Sequence, residues 1–564
     1  MKNKYTILLT LFAVLAIASC KKGGVLDQVK TTDLNEEKTF SDSTRTIQFL
    51  TRIYSDIGFS ADPRRFGSSV GVYSITDEVE GSLLAATAYN VIFQTGAVSA
   101  INIPTDAWVT SYANIRRVNV FLKHLPETPL SPGLRNKLAG EARFLRAWYY
   151  FIMLKHYGGV PLIGDAVYEA TDDVPGKRAT FEACVNYIES ECNAAANQLP
   201  LTQNGLDYGR ITRGACLALK SRLLLYAASP LFNARPEMDG VLGYTTFDAQ
   251  RWNKAAQAAL DVINLNQYQL LELSTPAPGY GFQKVFTLRK NTEYILAAMA
   301  GNNRTLEAIW DPPSRAGSGS AYPYQELVDA FGTKNGKPIA TDPTYNPADP
   351  YANRDPRLNY TILFNQGLRL GTNKAISPVN TYVNAAQDGF PLTKTGYFLR
   401  KFLDENTIAS ATSSTTERCF PLIRYAEILL NYAEAANESG DINTAYTQIV
   451  AIRRRAGINA GADGMYGLTA GMSKEDMRVL IQNERRVELA IEEHRYWDVR
   501  RWKIAENISN KTLHGMRITK VGNGYTYERI DIRTPVFVAP KWYLWPIPQS
   551  EVNKSVDLTQ NPGW

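Results

Sequence analysis

The sequence predicts a mainly all-α protein: a scaffold of paired helices wound into an α-α superhelix, with long irregular loop insertions that form a ligand-binding side. Three observations carry this expectation. Apolar residues recur at three- and four-residue spacing through most of the chain. Small residues fall at fixed offsets where two such helices must approach closely. Between the pairs run stretches too rich in Gly, Pro and Ser to be helix, yet studded with aromatics. With 564 residues, 45% of them hydrophobic and 21% charged, the chain can bury a large core.

The elements follow in order. Lys2 and Lys4 precede an apolar run over 6–17, closed by Ile17-Ala18-Ser19-Cys20. About 12 apolar residues are too few for a membrane span, which needs ~20. The layout is that of a bacterial secretory signal closed by a lipobox. Residues 1–19 are therefore expected to be removed, Cys20 to be lipidated, and 20–40 to act as a tether. No later apolar run reaches ~18 residues, so the lipid is the expected membrane attachment. The net charge of +6 falls to +4 without Lys2 and Lys4, and with no dense Lys/Arg run nucleic acid is not an expected partner.

Helices are expected over 43–57, 180–199, 212–228, 249–265, 442–456 and 473–505. Trp108, Tyr112, Ile115 and Leu122 mark the face of another, begun by Pro104-Thr105-Asp106. Around 144–154 the pattern is apolar on all sides, which places that helix inside the core. Leu422, Ala426, Leu429, Ala433 and Ala436 stripe a further helix that stops at Gly440. Tyr432-Ala433-Glu434-Ala435, Gly440, Ala445-Tyr446 and Ile449 resemble a degenerate tetratricopeptide unit. Ala227 with Ala255, Ala256 and Ala259 is a weaker copy. Cys184 and Cys192, eight apart on one helix, lie ~12 Å apart along its axis, beyond the ~7 Å that a disulfide spans. With Cys216 and Cys419 they are expected to be buried free thiols.

The loops 279–282, 311–324 and 341–357 are long enough to be functional, whereas 410–417 has no aromatics. Their rings, Tyr280, Phe282, Trp310, Tyr322 and Tyr324, with Tyr89 and Phe93 beyond Asp77-Glu78, are the candidate ligand contacts, because the C–H face of a sugar stacks on an aromatic ring. Catalytic chemistry is not expected. Gly67-Ser68-Ser69-Val70-Gly71 matches GxSxG, but a hydrolase elbow needs a strand before it and a helix after it. His124, His156, His494 and His514 are scattered. His494 and Asp498 share one-turn spacing, which points to a salt bridge and not to a metal. Glu484, Glu488, Glu492, Arg485, Arg486, Arg495 and Asp498, with the stripe Arg424, Glu427, Asn431 and Glu434, are expected to form an ion-pair network. Asp77, Glu78 and Glu80 have no identifiable partner, which leaves calcium binding and capping both open. No cofactor or metal is assigned.

Several segments together resemble one family. They are Cys20-Lys21-Lys22 with Leu26-Asp27, Thr76-Asp77-Glu78, WVTSYANIRRVN over 108–119, EARFLRAWYY over 141–150 and YGGVPL over 157–162. Then come Arg354-Asp355-Pro356-Arg357, IRYAEILLNYAEA over 423–435, NERRVELA over 483–490, Trp497-Asp498 with Arg501-Trp502, and the stretch 545–564. In this order they resemble the SusD/RagB family, outer-membrane nutrient-capture lipoproteins of Bacteroidetes-type bacteria. Ile491-Glu492-Glu493 departs from the Phe-Glu-Gly run usual there, and Gly23-Gly24 departs from the usual mature start. The resemblance implies an N-terminal region over 41–235 and a C-terminal region over 236–564 in one integrated fold, with no catalysis. It also implies a SusC-like TonB-dependent barrel transporter as partner. The ligand it implies is an oligosaccharide, or a peptide as in RagB-like lids; a secreted hydrolase is the reading from a different class.

Overall fold

The structure is a computed structural model that describes residues 35–67, 69–169, 171–410 and 416–564. The expected signal over 1–19, Cys20 and most of the tether lie outside the described residues. Helix makes up 42% of the chain and strand 9%, so strands serve as clips on a helical body.

The helical row begins with α1 (Ser43–Tyr54), where the Asp42 side chain accepts the Arg45 N–H at 2.8 Å. After α2 (Tyr89–Thr95) come α3 (Asp106–His124) and α4 (Pro132–Tyr157). Ser131 caps α4 and Pro132 opens it, where its missing N–H leaves no helix bond unmade. Thr180 and Thr212 cap α5 (Phe181–Gln198) and α6 (Arg213–Ala228) in the same way. α7 spans Gln250–Ile263. Two short helices, α8 (Tyr280–Val285) and α9 (Thr305–Trp310), belong to the loop side. The row resumes with α10 (Tyr425–Ser439) and α11 (Ile442–Ala456), separated by Gly440 at φ 100°, a conformation that costs glycine nothing. α12 (Lys474–Glu488) and α13 (His494–Arg501) complete it.

Each helix packs on the next: α3 on α4, α4 on α5, α5 on α6, α6 on α7, α7 on α10, and α10 on both α11 and α12. This is the expected superhelix. Its core runs from Leu50 through Phe144, Leu145, Tyr149 and Leu219 to Trp545. The residues at 144–154 are buried on every face of α4, as their unbroken apolarity requires. Cys184, Cys192, Cys216 and Cys419 are buried and free.

The loop side has a core of its own. Phe282, Phe286, Trp310, Phe331, Tyr397, Phe402, Met516 and Ile518 pack together beneath it. Short antiparallel clips hold it in register. β1 (Val79–Gly81) pairs with β3 (Ala321–Pro323), setting Glu80 opposite Tyr322. β2 (Tyr294–Ala298) pairs with β6 (Phe420–Arg424), and β4 (Ile362–Leu363) with β5 (Phe398–Leu399). The longest is the hairpin of β7 (Leu513–Val521) and β8 (Gly524–Arg533).

One expectation fails in an informative place. The helix expected over 473–505 breaks after Glu488 and restarts at His494. Between them Ile491 and Glu493 take left-handed φ of 65° and 74°, which costs a non-glycine residue about 1 kcal/mol. The break is fastened by polar groups. Lys401 Nζ donates to the carbonyls of Glu488 and Ala490 at 3.1 and 2.8 Å, and Glu78 accepts the Ile491 N–H at 3.3 Å. Glu493 has its carboxylate held by Lys155 and Trp497, each at 2.9 Å. His494 does not pair with Asp498, because the break turns it toward Glu427 at 3.7 Å while Asp498 is taken by Arg485 and Arg501. Burial, with Arg222 and Arg485 nearby, holds the His494 imidazole well below its ordinary value, so it is neutral.

The expected ion-pair network is present, and it is wider than the helices that announced it. Glu488 accepts from Arg357 at 3.0 Å, from Arg424 at 2.7 Å and from Arg455. Glu492 holds Arg424 and Lys401, each at 2.7 Å, and Glu293 holds Arg424 at 3.1 Å and Arg455 at 2.8 Å. All seven side chains are buried. Replacing Glu488 with Ala removes a carboxylate shared by three buried guanidinium groups, which keep Asp355, Glu484, Glu492 and Glu293 but are left with one positive charge uncompensated. It should lower stability by about 3–5 kcal/mol, read as a lowered urea midpoint, and an unchanged midpoint would show that the remaining carboxylates suffice.

Candidate ligand-binding face

The carboxylates just before β1 find partners that the sequence did not disclose. Asp77 accepts two hydrogen bonds from Arg495, both at 2.8 Å, and one ion pair from Arg486 at 2.8 Å. Burial alone would raise the Asp77 carboxyl, but the two guanidinium groups outweigh it and hold it well below the usual range. Glu80 is gripped by Arg533 through two bonds of 3.0 Å and accepts the Tyr324 hydroxyl. Glu78 is buried and accepts the Ile491 N–H, and burial, reinforced by the charge of Asp77, pushes its carboxyl up to about 8. These groups fasten β1 to α12, α13 and β8, so the calcium and capping alternatives both give way to ion pairing. Among the described residues no cluster of three or more His, Cys, Asp or Glu could hold a metal.

The seven aromatics expected to contact ligand are not brought together. Phe282, Trp310 and Tyr324 are 0% exposed, Tyr322 7% and Phe93 8%. Trp310 donates its Nε1–H to the Tyr73 hydroxyl at 3.2 Å and meets Tyr73 and Phe402 with its ring. Phe282 lies edge-on to Phe286 beneath Lys401 and Arg455. Phe93 stacks on Phe66, and Tyr322 packs against Phe398. A ring sealed in this way has no face for a ligand, which corrects the expectation for all five: Phe282 and Trp310 anchor the loops to the second core, Tyr324 is sealed against Glu80, and Phe93 and Tyr322 are packed into other apolar clusters. Tyr89 and Tyr280 are half-buried and keep ring surface. Tyr280 donates its hydroxyl to Glu405 at 2.7 Å, and Lys284 lies 5.2 Å from its ring centroid.

An open recess on this side is a hollow of about 550 Å³ lined by Arg64, Asn302, Asn303, Arg304, Thr305, Ala308 and Ile309. Tyr89 does not line it; its ring lies edge-on to the buried Phe66, two residues beyond Arg64, with ring centroids 6.0 Å apart. The loop that leads to Tyr89 leaves the β1–β3 clip, whose continuation bonds Ser82 N–H to the Ser320 carbonyl and Ser320 N–H to that of Ile309. Asn303 is tied down, since its side chain accepts the Thr305 N–H at 3.2 Å and donates to the Gly301 carbonyl at 2.9 Å. Asn302 and Arg304 are exposed. Planar amides and guanidinium groups beside a ring are a donor and acceptor set for hydroxyl-rich ligands. The polar run Gly301-Asn302-Asn303-Arg304 is the sequence signal for it, and it carries no aromatic. Ser69 of the GxSxG segment follows no strand among the described residues, and a short 3₁₀ turn, Val72–Ile75, comes after it.

Comparison with known proteins agrees with this architecture. A family model described as "SusD family" matches residues 283–564, half of the chain, and one described as "Starch-binding associating with outer membrane" matches residues 31–225. A SusD-like protein of Formosa agariphila is 24% identical over 469 residues, covering 81% of this chain and 80% of its own. The crystal structure of a SusD-like protein from Bacteroides fragilis superimposes over 94% of this chain and 98% of its own, with 26% identity and a TM-score of 0.77. A laminarin-binding SusD-like protein does so over 93% of this chain and 100% of its own, with 21% identity and a TM-score of 0.65.

Two outcomes test the assignments of buried groups. Glu78 binds its proton more tightly folded than unfolded, so its contribution is complete below the ordinary carboxylate value of about 4.5 and is lost as pH rises toward about 8. Glu78→Gln should therefore melt higher than the parent at pH 8 and nearly with it at pH 5; the opposite order would mean that the ionised form is the stabilised one. Trp310→Ala empties a packed site and should cost about 3–5 kcal/mol in chemical denaturation, whereas Tyr89→Ala should cost far less.

Proposed function

The chain belongs to the SusD/RagB family, and from that premise we propose that it is a non-catalytic, surface-exposed lipoprotein that captures an oligosaccharide and hands it to a SusC-like TonB-dependent barrel. The observation that carries the capture step is the open polar hollow at Arg64 and 302–305, with the half-buried Tyr89 reached through Phe66, two residues beyond Arg64. Amide and guanidinium groups bond sugar hydroxyls around the rim while a ring takes the C–H face. The glycan class also draws on the starch-binding description of the matching model and on the laminarin-binding neighbour. Attachment falls to Cys20, since among the described residues no helix is long and apolar enough to cross a membrane. Passage across the membrane then belongs to another chain. A superhelix offers that chain a broad surface.

Peptide capture is the second reading, and it has one specific support. Among the described residues β8 pairs with β7 alone, so its outer edge could take an extended peptide as a further strand. Glu528, Arg529 and Asp531 place charge along that strand, as edges that avoid pairing do, which favours the glycan.

The chain without residues 1–20 can be screened by affinity electrophoresis against laminarin, starch, other polysaccharides and a peptide library. Retardation by a polysaccharide is expected, with Tyr89→Ala and Asn302→Ala each weakening it by about 1–3 kcal/mol at unchanged melting temperature. Retention of peptides alone would sink the glycan reading. Cys20→Ser should move the protein to the soluble fraction, and mild-detergent extraction of the parent should co-isolate a large barrel protein in near-equal amount.

A further inference from the structure

The loop side carries a second set of ligand-competent groups, remote in sequence from the hollow, around Arg400. This residue follows β5. Its own N–H and that of Lys401 bond the Thr361 carbonyl at 2.9 and 3.2 Å, so the backbone is fixed. The side chain is partly exposed, and among the described residues its guanidinium group has neither a hydrogen-bond partner nor an ion-pair partner. The charged and titratable groups that face it are Arg369, Tyr360, Glu405 and Asp311.

Neither neighbouring carboxylate pairs with it, and both are already paired with another cation. Asp311 is engaged on both oxygens by Arg369, at 2.8 and 2.9 Å. Glu405 accepts the Tyr280 hydroxyl at 2.7 Å and Lys284 Nζ at 2.6 Å. Arg369 cancels Asp311 and Lys284 cancels Glu405, which leaves one positive charge uncompensated. Burial, with repulsion from Arg369, brings the Arg400 guanidinium down to about 10, so it stays charged at neutral pH. Arginines in the buried network have carboxylates; this one is partly exposed and keeps its fork of N–H donors open to solvent, where an incoming oxyanion can take them.

A second feature is independent of the charge. Tyr280 and Tyr360 are neighbours here, both half-buried, and both have their hydroxyls occupied, Tyr280 by Glu405 and Tyr360 by the Pro278 carbonyl at 3.2 Å. What they leave open is ring surface. A planar fork of N–H donors beside ring faces matches a pyranose that bears an oxyanion.

From these features we infer that Arg400 anchors a separate subsite for an acidic sugar, one carrying a carboxylate or a sulfate ester, with its ring against Tyr280 or Tyr360. The inference rests on the capture reading for the larger glycan that carries this sugar, but the oxyanion contact can be measured without it. The full chain in detergent would be titrated with sodium glucuronate, sodium sulfate and neutral glucose, and compared with Arg400→Gln and Arg400→Lys. Glucuronate or sulfate should bind the parent about tenfold or more tightly than Arg400→Gln, because a charge-assisted pair is lost. Arg400→Lys should fall between, keeping the charge without the fork. Tighter binding of glucuronate than of sulfate assigns the carboxylate, and the reverse assigns the sulfate ester. Equal binding of both anions by the parent and Arg400→Gln, or no preference of the parent for either over glucose, overturns the subsite. If the anions bind at Arg400 while no polysaccharide is retained, the subsite stands and the capture reading fails. If a polysaccharide is retained equally by the parent and Arg400→Gln while neither anion distinguishes the two, the reverse holds.

Discussion

The structure depends on a buried cross-link of charges centred on Glu488. Its carboxylate receives Arg424 from the start of α10, Arg455 from the end of α11 and Arg357 from the loop side. Three segments far apart in sequence are thereby fixed to the last turn of α12. An interior ion cluster of this kind adds little net stability over a well-packed apolar one. What it adds here is position, because each guanidinium group accepts few carboxylate geometries. Burial would raise the Glu488 carboxyl, yet the three arginines hold it well below the usual range, so the cluster is fully ionised at neutral pH.

That cross-link explains why the chain leaves helical geometry after Glu488. Continuing the helix would carry Glu492 onward along the α12 axis. Instead the break lets Glu492 fold back to Arg424 and Lys401 and frees the carbonyls of Glu488 and Ala490 for the same lysine. The left-handed residues Ile491 and Glu493 are the local cost, and the bonds from Lys155 and Trp497 to Glu493 offset it. The same corner receives Glu78 and Asp77 from the strand that leads toward the hollow, so the scaffold and the ligand side meet at one polar junction.

The loop side is accordingly a second packed body and not a mobile fringe. Trp310 and Phe282 are its core residues, and Tyr324 is buried beside Glu80. On the proposed capture reading, their burial leaves ligand contact to half-exposed rings and to polar groups at the rim, where desolvation is partial. Tight burial for anchoring and partial exposure for binding are competing uses of one residue type. The division between them follows from how closely the loops pack on each other.

The helical scaffold was legible in the sequence because it rests on local rules. The 442–456 periodicity, the stop at Gly440 and the all-round apolarity of 144–154 each act within a few residues, and each element lies where its pattern placed it. The existence of an ion network was also legible, since so many carboxylates and guanidinium groups at helical spacing must pair. Partner identity was not: Asp77 finds Arg495 more than four hundred residues away, and Glu488 finds Arg357 across the scaffold. Nor was the fate of an aromatic in a Gly- and Pro-rich loop, because Tyr89 and Trp310 look alike in sequence and differ only in what the fold packs over them. Periodicity and capping are properties of neighbouring residues, so the sequence by itself determined the helices; burial and charge pairing are properties of surfaces brought together from distant segments, so only the tertiary structure decided which rings stayed open and which arginine was left without a partner.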